Sequence, residues 1–146
     1  MQNWTKPPRN QTIAKYVALY WLIEKTDEDE SHHFPKLNPE PATHLILCPP
    51  EQRYSYQALP TESKGKGCHW LYPQQRTLQL DHSERFIYLG IKFQIGALYS
   101  LNIEGYNHPT LNRAVDVDIN QLLDTKSSVL EPLIKLGRLD PCQCSD

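Results

Sequence analysis

Methionine is scarce in this chain, with one among 146 residues, against twelve prolines, eight tyrosines and three tryptophans. That balance argues against a helical bundle and suits strands and turns. Excess basic charge is also missing, since the formal net charge is −2. A free-standing nucleic-acid binder carries a basic stripe that neutralises phosphates, so direct nucleic-acid contact by this chain is not expected. The residues after Met1, Gln-Asn-Trp-Thr-Lys-Pro-Pro, lack the apolar run of a signal peptide. The longest apolar run, Tyr16 to Ile23, is far too short to cross a bilayer, and no membrane association is expected. Cys48, Cys68, Cys142 and Cys144 are even in number, but the chain is neither tiny nor evidently secreted. Reduced thiols and a cytoplasmic location are therefore expected.

Signatures of catalysis are missing too. There is no Gly-x-Ser-x-Gly elbow, and Cys68-His69 are sequence neighbours whose side chains diverge in a strand. Ser63-Lys-Gly-Lys-Gly67 reads as a flexible turn, because its glycines lack the spacing and following helix of a phosphate-binding loop. His32-His33 are adjacent and point to opposite faces of an extended segment. His44, His69, His82 and His108 lie far apart, none with a second ligand at two-residue spacing. Cys142-Gln-Cys144 offers two thiolates where a closed zinc site needs four ligands, and it reads as a frayed tail. Asp27 to Glu30 reads as the solvated tip of a charged hairpin, since cation ligands must converge in space. No catalytic residue, metal or cofactor is expected.

What is present suits one domain. Hydrophobic residues make up 39% and charged residues 22% of a chain long enough to bury a core. Residues 1–12 read as an extended arm around Pro7-Pro8, 13–95 as a β-barrel, 96–137 as a helical cap and 138–146 as a tail. Strands are expected at Tyr16–Ile23, Thr43–Cys48, Arg53–Leu59, Cys68–Tyr72, Arg76–Leu80 and Phe86–Gln94. His33 to Pro41 reads as extended and irregular. In the last and clearest strand, Ile87, Leu89, Ile91 and Phe93 share one face, an ordinary core face. Phe86, Tyr88, Gly90, Lys92 and Gln94 share the other, which is aromatic and polar. Short helices are expected at Gly96–Asn102, at Asp118–Asp124 with Asp118 as N-cap, and at Pro132–Gly137. The fold class is α+β, an antiparallel barrel or sandwich followed by two or three short C-terminal helices.

Three segments resemble the N-terminal domain of AraC-type transcription regulators. They are Tyr16-Val with Trp21; Leu37-Asn-Pro-Glu-Pro41 leading into His44-Leu-Ile-Leu47; and Leu71-Tyr-Pro73 with Arg76 through Leu89-Gly-Ile-Lys-Phe-Gln-Ile-Gly-Ala97. The last is similar to that family's Gly-Val-Arg-Phe-x-Pro-Gly strand-to-helix junction, followed by an acidic patch near Val115-Asp-Val117. Lys92 stands where the family has arginine and Ile95 where it has proline; lysine keeps the charge and loses the planar fork. The resemblance implies a cupin-like β-barrel with helices at one end, serving effector binding, dimerisation or both. It also implies that DNA would be contacted only through a separate C-terminal helix-turn-helix domain, which these residues do not contain.

A barrel mouth binds small molecules when an apolar interior carries a few polar groups. Trp21, His44, Tyr54, Trp70, Arg76, Tyr88 and Lys92 are the candidate ligand-binding residues, with Tyr20 beside them. The opposing reading makes Trp21 and Trp70 plain core and lets Arg76 and Lys92 snorkel to solvent. Leu122, Leu123, Leu130, Leu133 and Ile134 are the candidate dimer interface, or else they cover the open end of the barrel. The expected partners are a small-molecule effector and a second copy of the chain. The alternative function is a stand-alone cupin-like, metal-dependent isomerase or dioxygenase, and a third reading is a pure protein-interaction module.

Overall fold

The computed structural model describes residues 2–26, 36–37, 39–58, 61–80, 84–98, 111–118 and 120. In chain order the elements are β1 (Gln2–Lys6), α1 (Gln11–Ala14), β2 (Val17–Lys25), β3 (Lys36–Leu37), β4 (His44–Leu47), β5 (Arg53–Ala58), β6 (Thr61–Lys66), β7 (His69–Leu71), β8 (Leu78–Leu80), β9 (Phe86–Phe93) and β10 (Ala114–Asp116). They form a six-stranded sheet, β1-β2-β9-β4-β7-β10, and a four-stranded sheet, β3-β8-β5-β6. Every pairing among these strands is antiparallel. The described residues are thus predominantly antiparallel β-sheet, compatible with a β-sandwich.

Both faces of the six-stranded sheet are covered, which is why its central strands read as apolar throughout. On one face Tyr20, Leu45, Leu47, Trp70, Ile91 and Phe93 pack with Ile13 of α1 and with Ala97 and Leu98. On the other, Ile46, Leu71, Phe86 and Tyr88 meet Tyr54, Tyr56 and Leu78 of the four-stranded sheet. Each such buried aliphatic or aromatic side chain contributes about 1.5–3 kcal/mol. The two-face pattern of the clearest strand holds: Ile91 and Phe93 lie in the first core, Phe86 and Tyr88 in the second. Along one edge the sheets are tied by side chains, where Ala114 N–H donates to Ser63 Oγ at 3.0 Å and Tyr54 Oη–H donates to Asp116 Oδ1 at 2.5 Å.

Several local expectations change. Part of the N-terminal arm is a sheet strand, with Gln2 to Lys6 paired to Glu24 to Tyr20. A single helical turn follows it, capped by Asn10, whose Oδ1 accepts from Thr12 and Ile13 N–H. The segment around Ser63 to Gly67 is mostly strand β6 rather than a flexible turn, because Tyr54 and Tyr56 pair with Gly65 and Ser63 and bury that side. The acidic patch at Val115-Asp-Val117 begins in strand β10. Strand β8 starts at Leu78, leaving Arg76 in the preceding bend.

Ala97 and Leu98 are helical, as expected after Gly96, whose φ is +81°; residues 99–102 lie outside the described residues. Asp118 Oδ1 accepts from Asn120 N–H at 3.0 Å, the contact of an N-cap. The remainder of that helix, the helix at Pro132–Gly137 and the residues Leu122, Leu123, Leu130, Leu133 and Ile134 lie outside the described residues. Among the described residues no helix is long and apolar enough to cross a membrane.

Candidate ligand-binding cavity

Gly90 sets the geometry of the inner sheet face. It lies between Trp21 of β2 and Ile46 of β4 in the strand register. A Cβ on Gly90 would collide with the Trp21 indole. Its absence lets the ring lie across β9 and reach the next strand. There Trp21 Nε1–H donates to His44 Nδ1 at 2.9 Å, with the two rings edge to face at 5.8 Å between centroids. An indole nitrogen only donates, so Nδ1 must be the accepting nitrogen and neutral His44 carries its hydrogen on Nε2. Nε2 in turn donates to Glu40 Oε2 at 3.0 Å.

Glu40 is held from its backbone, between Pro39 and Pro41. Its N–H donates to Gln74 O at 2.9 Å, and Gln74 N–H donates to Glu40 O at 2.8 Å. Its second carboxylate oxygen, Oε1, is in contact with Lys92 Nζ. Lys92 is the register partner of His44 on β9, so strand pairing brings these two together, and the bridge to Gln74 places Glu40 against both. The hydrogen bond from His44 holds the Glu40 carboxyl down at about 2; partial burial opposes this and Lys92 reinforces it. The result is a chain, Trp21 to His44 to Glu40 to Lys92, that sums to zero charge while His44 is neutral.

This chain borders a cavity of about 750 Å3 whose walls also include Ile23, Ile46, Tyr56, Leu71, Leu78 and Tyr88. Volume and lining match the usual small-molecule site, mostly apolar with a few placed polar groups. Gln74 lies in the same wall. Its Nε2 donates to Tyr72 O at 2.5 Å, and its buried Oε1 has no hydrogen-bond partner among the described residues. A larger depression of about 1510 Å3 at the other end is bordered by Glu24, Glu51, Arg53, Glu62, Lys64, Lys66, Glu84 and Arg85. Most of those side chains are exposed, so it is a charged groove.

A second polar cluster lies deeper on the same inner face. His69 is fully buried, with Nδ1–H donating to Gly67 O at 2.8 Å and Nε2 accepting from Tyr56 Oη–H at 2.7 Å. Tyr54 stacks on the imidazole at 3.8 Å between centroids. Burial pushes His69 down to about 4 and raises both Tyr54 and Tyr56. Every polar atom of the His69 ring is satisfied, so the group is core rather than a reactive centre. Burial likewise pushes the Cys48 thiol up to about 12, which leaves it unreactive. Cys48 and Cys68 are both free thiols. Among the described residues no three His, Cys, Asp or Glu side chains converge to hold a metal.

Of the candidates from sequence, Trp21, His44, Tyr88 and Lys92 border the cavity of about 750 Å3. Tyr54 belongs to the packed His69 cluster and touches the charged groove instead. Trp70 is 2% exposed and packs on Phe93 at 6.1 Å, on the opposite sheet face, because it follows inward-facing His69 by one residue. Tyr20 is fully buried on that same opposite face for the same parity reason. Arg76 is exposed in the bend before β8 and is not part of the cavity wall. Glu40, Tyr56 and Gln74 were not anticipated; the only sequence signal for Glu40 is its place in the Pro-Glu-Pro turn four residues before His44. Compared with protein-family models, curated proteins and solved structures, the chain matches none.

Proposed function

We propose that this chain is a regulatory domain that binds a small effector in the cavity between its two sheets. The single observation that carries this reading is the convergence of Trp21, His44, Glu40 and Lys92 on the wall of a mostly apolar cavity of about 750 Å3. The resemblance to the N-terminal domain of AraC-type regulators supports the same reading, and on it the sandwich would be a cupin-like barrel closed by C-terminal helices. Dimerisation through Leu122, Leu123, Leu130, Leu133 and Ile134, DNA contact through a separate domain, and a cytoplasmic location complete the proposal.

Nile red, an uncharged apolar dye that this volume accommodates, tests the cavity. It should bind saturably, one dye per chain, with blue-shifted emission. Ala42→Phe, which adds a ring to the cavity wall, should abolish binding while the far-ultraviolet circular dichroism is retained. Absence of saturable binding to the wild-type chain counts against an effector cavity.

A further inference from the structure

The polar groups of the cavity constrain the charge of what it can hold. Resting on the effector reading above, we infer that the cavity takes an uncharged apolar molecule bearing one hydroxyl or carbonyl oxygen, received by Lys92 Nζ. A lysine in an apolar wall ordinarily attracts a carboxylate, but the charge of Lys92 is already matched. Glu40 Oε1 contacts Lys92 Nζ and Glu40 Oε2 accepts from His44, so both carboxylate oxygens are engaged.

His44 adds no charge in this arrangement, because its Nδ1 accepts from Trp21. A protonated ring would turn Nδ1–H toward the indole N–H, placing two donors face to face. The cluster therefore totals zero: Lys92 contributes +1, Glu40 −1 and His44 none.

A ligand carboxylate placed on Lys92 would share that cation with Glu40 and leave a net negative charge among Ile46, Leu71, Leu78 and Tyr88. Glu40 and Lys92 are about a third exposed, so solvent screens part of this excess charge, and what remains is a severalfold loss of affinity. Protonating Glu40 would relieve it, yet the His44 hydrogen bond holds that carboxyl at about 2, far from neutral pH. An ammonium ligand would bring a second positive charge to the same place. An uncharged oxygen escapes both penalties. An ammonium group has three donors, and the structure gives Lys92 one carboxylate partner, so donors remain for a ligand oxygen. The apolar walls supply the rest of the affinity through buried area.

The test uses three probes that share one ring system: 2-acetylnaphthalene, 2-naphthoate and 2-naphthylmethylammonium, titrated calorimetrically at pH 7 into the intact chain. The uncharged ketone should bind severalfold more tightly than either ion. Glu40→Gln removes the matching charge and should reverse the order, so that the carboxylate becomes the strongest of the three. The wild-type ranking needs no variant, so it decides the matter even if Glu40→Gln fails to fold. A wild-type preference for 2-naphthoate or for the ammonium probe overturns the inference while the effector cavity stands. If none of the three probes binds and Nile red also fails, the cavity reading falls and this inference with it.

Discussion

The inner face of the six-stranded sheet carries two clusters built from the same kinds of residue, and they behave differently. Each has a histidine, an aromatic donor and a carboxylate, and each has an aromatic ring lying over a glycine of the neighbouring strand: Trp21 over Gly90, and Tyr54 over Gly65. In the deeper cluster His69 is fully buried and is not part of the cavity wall, while Tyr56, which borders the cavity, is 4% exposed. In the other, His44, Lys92 and Glu40 have side chains 12%, 30% and 34% exposed, and the cavity lies beside them. Residue type does not distinguish the two clusters. What separates them is whether the polar groups are enclosed by neighbours or face an unfilled volume.

The largest way to expose this difference is acid. Burial pushes His69 from 6.5 down to about 4, so between those pH values the unfolded chain takes up a proton that the folded chain refuses. Stability is therefore fully present above pH 6.5 and falls as the pH drops toward 4, by about 3 kcal/mol for a shift of this size. Glu40 follows in a lower window, its contribution present above 4.5 and lost toward about 2. Urea unfolding at half-unit pH intervals should show the first decline, and His69→Gln should flatten it. A flat profile from 6.5 to 4 in the wild-type chain would refute the buried neutral imidazole.

Next in size is Gly90→Ala. The added methyl meets the Trp21 ring, which cannot move without giving up its bond to His44. Overpacking of this kind costs about 2–3 kcal/mol. The urea midpoint should drop, and imidazole 15N shifts should show His44 Nδ1 losing its donor. Gly65→Ala, its counterpart on the edge strand β6, meets Tyr54 and Asp116 and should cost less, because an edge strand can shift outward.

Alternation made much of this legible. Phe86 to Gln94 reads as a two-faced strand and is one, with the polar face turned toward the second sheet. His44, Tyr88 and Lys92 follow from that parity, as does Trp21 once β2 is paired with β9. Parity also explains the misses, since Trp70 differs from His69 by one position and so falls on the other face. Glu40 could not be found this way. Its place depends on the backbone bridge to Gln74, a long-range pairing that leaves no local periodicity. The Lys-Gly-Lys-Gly run misleads because its glycines make room for Tyr54 and for the turn at Gly67, where φ is +73°.

Tyr56→Phe probes the deeper cluster at the side chain that also borders the cavity. It removes the donor to His69 Nε2 and leaves a buried acceptor unsatisfied, which costs about 1–2 kcal/mol. The loss should appear in the urea midpoint and in the imidazole 15N shift of His69 Nε2. An unchanged midpoint would mean that solvent reaches the imidazole and that the two clusters are less distinct than their burial indicates.

The smallest effect should come from Lys92→Met, and its smallness is informative. Removing a partner from an enclosed cluster strands a polar group, whereas here the stranded group, Glu40, is a third exposed and keeps its hydrogen bond from His44. Solvent screening holds the stability change at pH 7 below about 1 kcal/mol. The carboxyl itself should respond more clearly. Without Lys92 beside it, its pKa rises from about 2 toward the ordinary carboxylate range, so its share of acid destabilisation begins at higher pH. A 13C titration of the Glu40 carboxyl would read that rise directly. A stability loss of several kcal/mol would instead place Lys92 with His69, as a structural group that the fold requires. A small loss with a clear rise leaves the cation dispensable for folding, and so free to serve a ligand.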